Sequence, residues 1–355
     1  MATLCRRVPV TSEGQPIPTS AWRHSVVSDR YSRQPVFYRC CFKVLFLLAL
    51  HSLGCDVLED IVGPVDDPAS GSDVVSNDVT NTSDDEIIRI GTFNIQVFGQ
   101  SKLAKHDAMD ALAEIARRFD VLAIQEIRSK NQDVMPRFLK LINAKGNAHY
   151  DFIIGPRLGR TVSKEQYAYV FNTDRVVVDE RFVYSVDDPD DLLHRSPLVA
   201  RFQAVGPANG LAFTFTLINI HTDPDEADLE VNVLDDVVNA VRQDGSGEDD
   251  VILLGDLNAD SKHLGHLAGL PEIMWVVSGE PTNVALSASY DNILFHRRDT
   301  LEFTGVGGVY NFPKEFSLSR SSADEISDHL PVWAEFSIYE GVSPALASGR
   351  RQVAR

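Results

Sequence analysis

Positive charge is what this chain has least of: 33 Lys and Arg stand against 51 Asp and Glu, for a formal net charge of -18. A chain this acidic is not built to hold nucleic acid through a broad basic face, since that mode neutralises many phosphates at once. Cysteine is missing from everything after Cys55; the others are Cys5, Cys40 and Cys41. The globular part therefore carries no disulfide and must be held by packing. The apolar run from Val44 to Leu50 falls well short of the about 20 residues that a spanning helix needs.

What precedes the globular part is a leader in two pieces. Residues 1–35 are polar and without periodicity. Arg39 and Lys43, the apolar run and small residues before Cys55 follow in the order of an export signal, so residues 1–55 are expected to direct export. Cys55 after Ser-Leu-Gly matches a bacterial lipoprotein processing site except at Ser52, and lipid attachment there would tether the protein to a membrane. A downstream translation start near Val36 would leave a more ordinary signal. Residues 56–85 contain no Lys, Arg or aromatic residue and cannot bury enough surface to offset chain entropy, which predicts a flexible acidic tether. A disordered tail is expected over 340–355.

Residues 86–339 are expected to form one large domain. Strand patterns cover 86–98, 120–127, 151–155, 166–172, 175–186, 211–221, 289–297 and 332–339, and 250–260 reads as a strand leaving a loop; helical spacing covers 104–119, 131–144 and 226–243. Helices interleaved with many strands, some in hairpins, predict an α/β protein with helices outside packed sheets. Periodicity alone leaves a doubly wound parallel sheet open.

Several of these strands end in side chains that carry chemistry. Glu126 closes the apolar strand VLAIQE, where a carboxylate either faces a cleft and takes a hard divalent cation or caps the next helix. Asp256 and Asn258 in GDLNAD share a face if the strand continues; together they can hold a metal or water and donate to a phosphoryl oxygen, whereas the bland alternative is an Asx turn. Asp328 and His329 in SDHLP point to opposite faces if extended, which predicts separate roles. An oxygen donor set without cysteine favours magnesium or manganese.

In their order, FNIQVFGQSK, QEIR, NIHTD, GDLNAD, YDNILF and SDHLP resemble the endonuclease/exonuclease/phosphatase superfamily. GPRLGRTVSKEQYAYVF and the run into NIHTD narrow the likeness to its deoxyribonuclease I branch, over roughly residues 88–338. The resemblance implies a four-layered sandwich, two packed β-sheets flanked by helices. It implies catalytic pairs His221 with Glu165 and His329 with Asp291, in which a carboxylate fixes the tautomer and raises the basicity of each imidazole. It places Asn94 beside the scissile phosphate with Asn258, and makes Glu126, Asp256 and Asp328 the metal carboxylates. Arg128 and Arg160 match positions that reach a minor groove or a phosphate, and Arg195 is a further phosphate-contact candidate.

Three departures limit the likeness. Ser163 stands where the branch carries a groove-stacking Tyr, and Ser261 and Ala288 stand in the places of a cysteine pair. In the usual calcium stretch only Glu280 and Thr282 remain as oxygen donors. The expected activity is hydrolysis of DNA by a monomeric endonuclease of low sequence specificity, binding DNA weakly and through its metal. Cleavage of a phospholipid headgroup or inositol phosphate is the alternative within the superfamily, and a non-catalytic binding module on the same fold is the third reading.

Overall fold

Period-two alternation of apolar side chains builds two sheets, which the computed structural model describes within residues 84–208 and 210–341. In chain order the elements are β1 (Ile87–Phe98), α1 (Gln100–Leu103), α2 (His106–Ala116), β2 (Val121–Ile127), α3 (Val134–Ile142), β3 (Tyr150–Ile154), β4 (Gln166–Asn172), β5 (Val176–Ser185), β6 (Leu198–Ala204) and β7 (Thr214–His221). They continue with α4 (Ala227–Val231), α5 (Leu234–Val241), β8 (Val251–Asp256), β9 (Ile273–Trp275), β10 (Asp291–His296), β11 (Phe303–Val309), α6 (Phe312–Glu315), α7 (Arg320–Ile326) and β12 (Val332–Ser337). One six-stranded sheet runs β11-β12-β1-β2-β4-β3, the other β5-β6-β7-β8-β10-β9. Only β1 with β2 and β7 with β8 pair in parallel; the other neighbours are antiparallel.

Three buried layers of apolar side chains separate four layers of backbone. Between the sheets lie Ile88, Ile90, Phe215, Leu217, Ile252 and Leu254. On the outer face of the first sheet Phe93 and Ile95 meet Leu112 of α2 and Phe138 of α3, and on that of the second Ile218 and Leu253 meet Val237 and Val238 of α5. This is the expected sandwich with helices on both outer faces.

The same alternation places the site. In β1, Ile88 and Ile90 face the inter-sheet layer, so Thr92 and Asn94 follow on that face. Phe215 and Leu217 of β7 lead in the same way to Asn219 and His221, Ile252 and Leu254 of β8 to Asp256, and Phe171, Tyr169 and Tyr167 of β4 back to Glu165. The inter-sheet face is thus apolar along its middle and polar at one rim.

Several expectations change. The helix predicted over 226–243 is two helices, α4 and α5, broken where Asn232 caps the chain instead of continuing it: its Nδ2 donates to the Asp228 carbonyl at 2.6 Å and its Oδ1 accepts from the His266 amide at 3.1 Å. The strand of GDLNAD stops at Asp256, because Asn258 has a left-handed φ of 47°. Strands β6, β9 and β11 were not expected. Glu340, assigned to the tail, is tied to the domain: its amide donates to Leu211 and its Oε2 accepts from Thr214 at 2.9 Å. At the other end Asp84 and Asp85, assigned to the tether, accept from Arg175 through their carbonyls. The expected export signal, Cys55 and the rest of the tether lie outside the described residues.

Candidate active site

Glu126 reaches the cleft by a backbone irregularity. Strict alternation along β2 would turn Gln125 toward the other sheet, and Gln125 does go there, donating to Thr92 at 2.9 Å and to Asn219 at 2.6 Å. Glu126 would then face the helices. Instead the register shifts between β1 and β2 after Asn94 and between β2 and β4 after Ile124, and Glu126 takes a φ of 63°. That bulge swings its carboxylate to the rim, where Oε1 accepts from Asn94 at 3.2 Å and Oε2 from the Val97 amide at 2.7 Å.

Asp256 is the centre of the arrangement. It lies opposite His221 in the parallel β7/β8 register and opposite Asp291 in the antiparallel β8/β10 register, so the three side chains share a face. Asn94 donates to its Oδ2 at 2.9 Å. The Nε2 atoms of His221 and His329 approach the same oxygen at 3.6 and 3.7 Å. Burial alone would raise the Asp256 carboxyl, yet these two imidazoles and the Asn94 amide bring it below its ordinary value.

Each imidazole turns its other nitrogen to an acid. His221 Nδ1 lies 3.0 Å from Glu165 Oε2, and His329 Nδ1 lies 2.9 Å from Asp291 Oδ2. Glu165 is buried, which would raise its carboxyl, but the His221 hydrogen bond and the charges of His221, Arg195 and Arg128 hold it down at about 2. His329 is pulled down by burial and up more strongly by Asp291 and Asp256, ending at about 10. Thr282 completes that pair by donating to Asp291 Oδ2 at 2.8 Å.

These groups open onto a cleft of about 310 Å³, whose walls include Glu126, Arg128, Glu165, His221, Asp256 and His329. Ten expected site residues are thereby gathered: Asn94, Glu126, Arg128, Glu165, Arg195, His221, Asp256, Asn258, Asp291 and His329. Asn258 serves the loop as well, donating Nδ2 to the Thr222 carbonyl at 2.9 Å and its amide to Asp256 Oδ1 at 2.9 Å.

The expected metal carboxylates do not converge on one point. Asn94 bridges Glu126 and Asp256, whereas Asp328 accepts from Gln96 at 2.8 Å and stands 3.8 Å from His329 Nε2. Among the described residues, the three donors that do crowd together in the cleft are Asp256, Asp291 and His329. The cleft nonetheless suits a hard cation: its donors are carboxylates and amides, and the buried Asn94 Oδ1, Asp291 Oδ1 and Asp328 Oδ1 accept no hydrogen bond. Thr282, expected as a calcium donor, is fully buried and committed to Asp291.

The arginines also differ from expectation. Arg128 is pinned between Glu165 at 2.6 Å and Glu126 at 3.0 Å, with its side chain 30% exposed. Arg195 is buried and donates to the carbonyls of His221 at 3.0 Å and Thr222 at 3.1 Å, so it positions the histidine's backbone from the cleft wall. Arg160 pairs with Glu226 and Asp191.

Sequence reasoning passed over four contributors. Tyr167 is two residues past Glu165 on one strand face, a period-two signal that was available. Gln96 holds Asp328, and Ser327 donates to the Asn94 carbonyl at 2.7 Å and accepts from the His329 amide. Buried Lys102 donates to the Ile326 carbonyl at 2.6 Å beside Asp328, and burial lowers its ammonium to about 8. Nothing local in the sequence marks these last three.

Comparison with known proteins follows the same lines. The Endonuclease/Exonuclease/phosphatase family matches residues 91–329. Deoxyribonuclease-1-like 1 of Cricetulus griseus is 36% identical over 263 residues, covering 71% of this chain and 84% of that one. Deoxyribonuclease gamma of Rattus norvegicus is 31% identical over 282 residues, covering 75% and 88%. Among solved structures a humanized D. rerio TDP2 superposes with a TM-score of 0.50 at 16% identity, covering 71% of this chain and 99% of that one, a likeness of fold.

Proposed function

The chain belongs to the endonuclease/exonuclease/phosphatase family, in its deoxyribonuclease I-like branch, and we propose that this phosphodiester hydrolase is a metal-dependent DNA endonuclease of low sequence specificity. The observation that carries the proposal is the convergence of two acid-paired imidazoles on Asp256, with Nε2 distances of 3.6 and 3.7 Å. A hydrolase that cuts a phosphodiester needs a proton removed from water and a charge placed on the phosphate, and two acid-paired imidazoles can divide that work.

His329 is held protonated by Asp291 and Asp256, and it donates from Nε2 to a phosphoryl or leaving oxygen. His221, with Nδ1 turned to Glu165, presents Nε2 to accept the proton of the attacking water. The water oxygen bonds to phosphorus as the bond to the leaving oxygen breaks in line. Asn94 and Asn258 support the phosphoryl oxygens. Glu126 and Asp256, drawn together by Asn94, would hold magnesium or manganese, with Asp328 set apart from them beside His329. Bound there, such an ion would supply Lewis-acid polarisation of the phosphoryl group. Arg128 adds a fixed positive edge to the cleft, and Arg160 on its outer side is the candidate for the duplex backbone.

Plasmid DNA and sphingomyelin digested side by side, with magnesium or with chelator, test the reading. Magnesium-dependent nicking without phospholipid cleavage is expected. Full activity in chelator would overturn the metal, and cleavage of sphingomyelin alone would move the protein to the lipid-headgroup alternative. Export with maturation at or near Cys55 remains part of the proposal, and mass spectrometry of the mature N-terminus decides it; an unprocessed Met1 on a cytosolic protein would refute it.

A further inference from the structure

At the opposite rim of the inter-sheet layer the same alternation again ends in carboxylates. Asp250 precedes Ile252 and Leu254 on the inward face of β8, and Glu340 follows Phe336 and Ile338 beyond β12. Glu302, just before β11, joins them, and one carboxylate oxygen from each of the three lies within 4.8 Å of the others. Asp250 is 1% exposed and Glu302 0%, far below what isolated carboxylates tolerate.

The protein leaves part of this cluster unanswered. Glu302 Oε1 accepts from the Gly341 amide and Glu340 Oε2 from the Thr214 amide, but Asp250 Oδ1 and Glu302 Oε2 accept nothing. Thr300, also buried, places its hydroxyl beside Asp250. The nearby Arg201 is spent on Glu248 at 3.0 Å, and among the described residues no Lys or Arg pairs with Asp250, Glu302 or Glu340. Burial and mutual repulsion push Asp250 and Glu302 well above the ordinary carboxylate range, a measure of how little the chain itself does to neutralise them.

We propose that Asp250, Glu302 and Glu340 form a structural divalent-cation site, suited to calcium, at the end of the sandwich remote from the cleft. Three carboxylates with a neighbouring hydroxyl and water on the half-buried Glu340 side match the oxygen-rich, geometrically tolerant shell of calcium better than the strict octahedron of magnesium. The ion joins the start of β8, the start of β11 and the segment after β12. It therefore ties the C-terminal segment to both sheets.

Two measurements decide the matter. Calcium chloride added to the chelator-treated full chain is expected to raise its melting temperature by about 5 °C, as a ligand bound only by the folded state does. The rise is expected to persist in Asp256→Asn and to vanish in Glu302→Gln. An equal rise in Glu302→Gln, or a loss confined to Asp256→Asn, would overturn the site. Should Glu302→Gln fail to fold, crystals of the unaltered protein soaked in terbium chloride answer independently: an anomalous peak among Asp250, Glu302 and Glu340 supports the proposal. Peaks in the cleft alone would mean that the cluster is neutralised by protons.

Discussion

Tyr167 and His221 are tied twice: the Tyr167 hydroxyl accepts from the His221 amide at 2.9 Å and donates to the His221 carbonyl at 3.3 Å. One phenol from the first sheet thereby satisfies both backbone groups of the last residue of β7 in the second. Tyr167→Phe removes both bonds and leaves a buried amide unpaired. The expected cost is about 2 kcal/mol in unfolding free energy, with kcat down about tenfold from a loosened His221. Denaturant melts and steady-state kinetics check this; unchanged turnover would show that the clamp is structural only.

The two histidines should separate in stability as well as in rate. His221→Ala and His329→Ala are each expected to lower turnover by about 10²- to 10⁴-fold. Glu165 keeps Arg128 and Arg195 when His221 is lost, so that variant should melt near the parental temperature. Asp291 has only Thr282 left when His329 is lost, so that variant should lose about 1 to 3 kcal/mol. Equal stability in the two variants would contradict the account of the Asp291 pair.

Glu165 gives a pH dependence with a definite sign. Its carboxyl is held down at about 2, so the folded state favours the ionised form and gains stability wherever the unfolded chain is also ionised. That gain is complete above the unfolded value near pH 4.5 and disappears as pH falls toward 2. The melting-temperature gap between parent and Glu165→Gln should therefore be constant above about pH 5, worth on the order of 2 kcal/mol, and close below it. A gap that widens with acid would reverse the assignment.

The arginines are expected to split by substrate. Arg128 anchors Glu165 and Glu126, so Arg128→Ala should slow cleavage of DNA and of a small phosphodiester alike. Arg160 touches neither imidazole pair, so Arg160→Ala should weaken DNA cleavage several-fold, more at low salt, and spare the small substrate. Parallel kinetics on both substrates read this directly.

Gly255 offers a stability test beside the site. Its φ is 149°, and an added Cβ would come within 2.0 Å of the Ile220 carbonyl oxygen. Gly255→Ala must push β8 from β7 next to both His221 and Asp256, at an expected cost of at least about 3 kcal/mol. Chemical denaturation measures it, and a near-neutral result would mean that the strands part more easily than their register implies.

How much of this was legible in sequence depends on whether the backbone stays regular. Asn94, His221 and Asp256 follow from counting by two along apolar strands, and Glu165 lies on the Tyr167 and Tyr169 face for the same reason. Glu126 was found only because it closes a strand; counting by two would have sent it to the wrong face, since its bulge depends on pairing with two neighbouring strands. Strand β11, FTGVGGV, was invisible because its glycines carry no side-chain pattern. Glu165, which holds Arg128, and His221 and Thr222, which hold Arg195, are remote in sequence, so exposure had to be guessed from residue type, and the guess made both arginines freer than they are.

The two strand orders hold the same sequence of parallel and antiparallel neighbours, so that β1, β2 and β4 occupy in one sheet the places of β7, β8 and β10 in the other. The site lies where the two sheets meet, and its proton-handling pairs cross between them in opposite directions. His221 reaches from the second sheet to Glu165 at the edge of the first; His329, leading into the first sheet, reaches to Asp291 in the second. A slip of one sheet over the other would stretch both couplings at once, as two staples set from opposite sides resist the same shear. Neither half-sandwich can hold a working pair, so the chemistry begins only when the halves have docked in register.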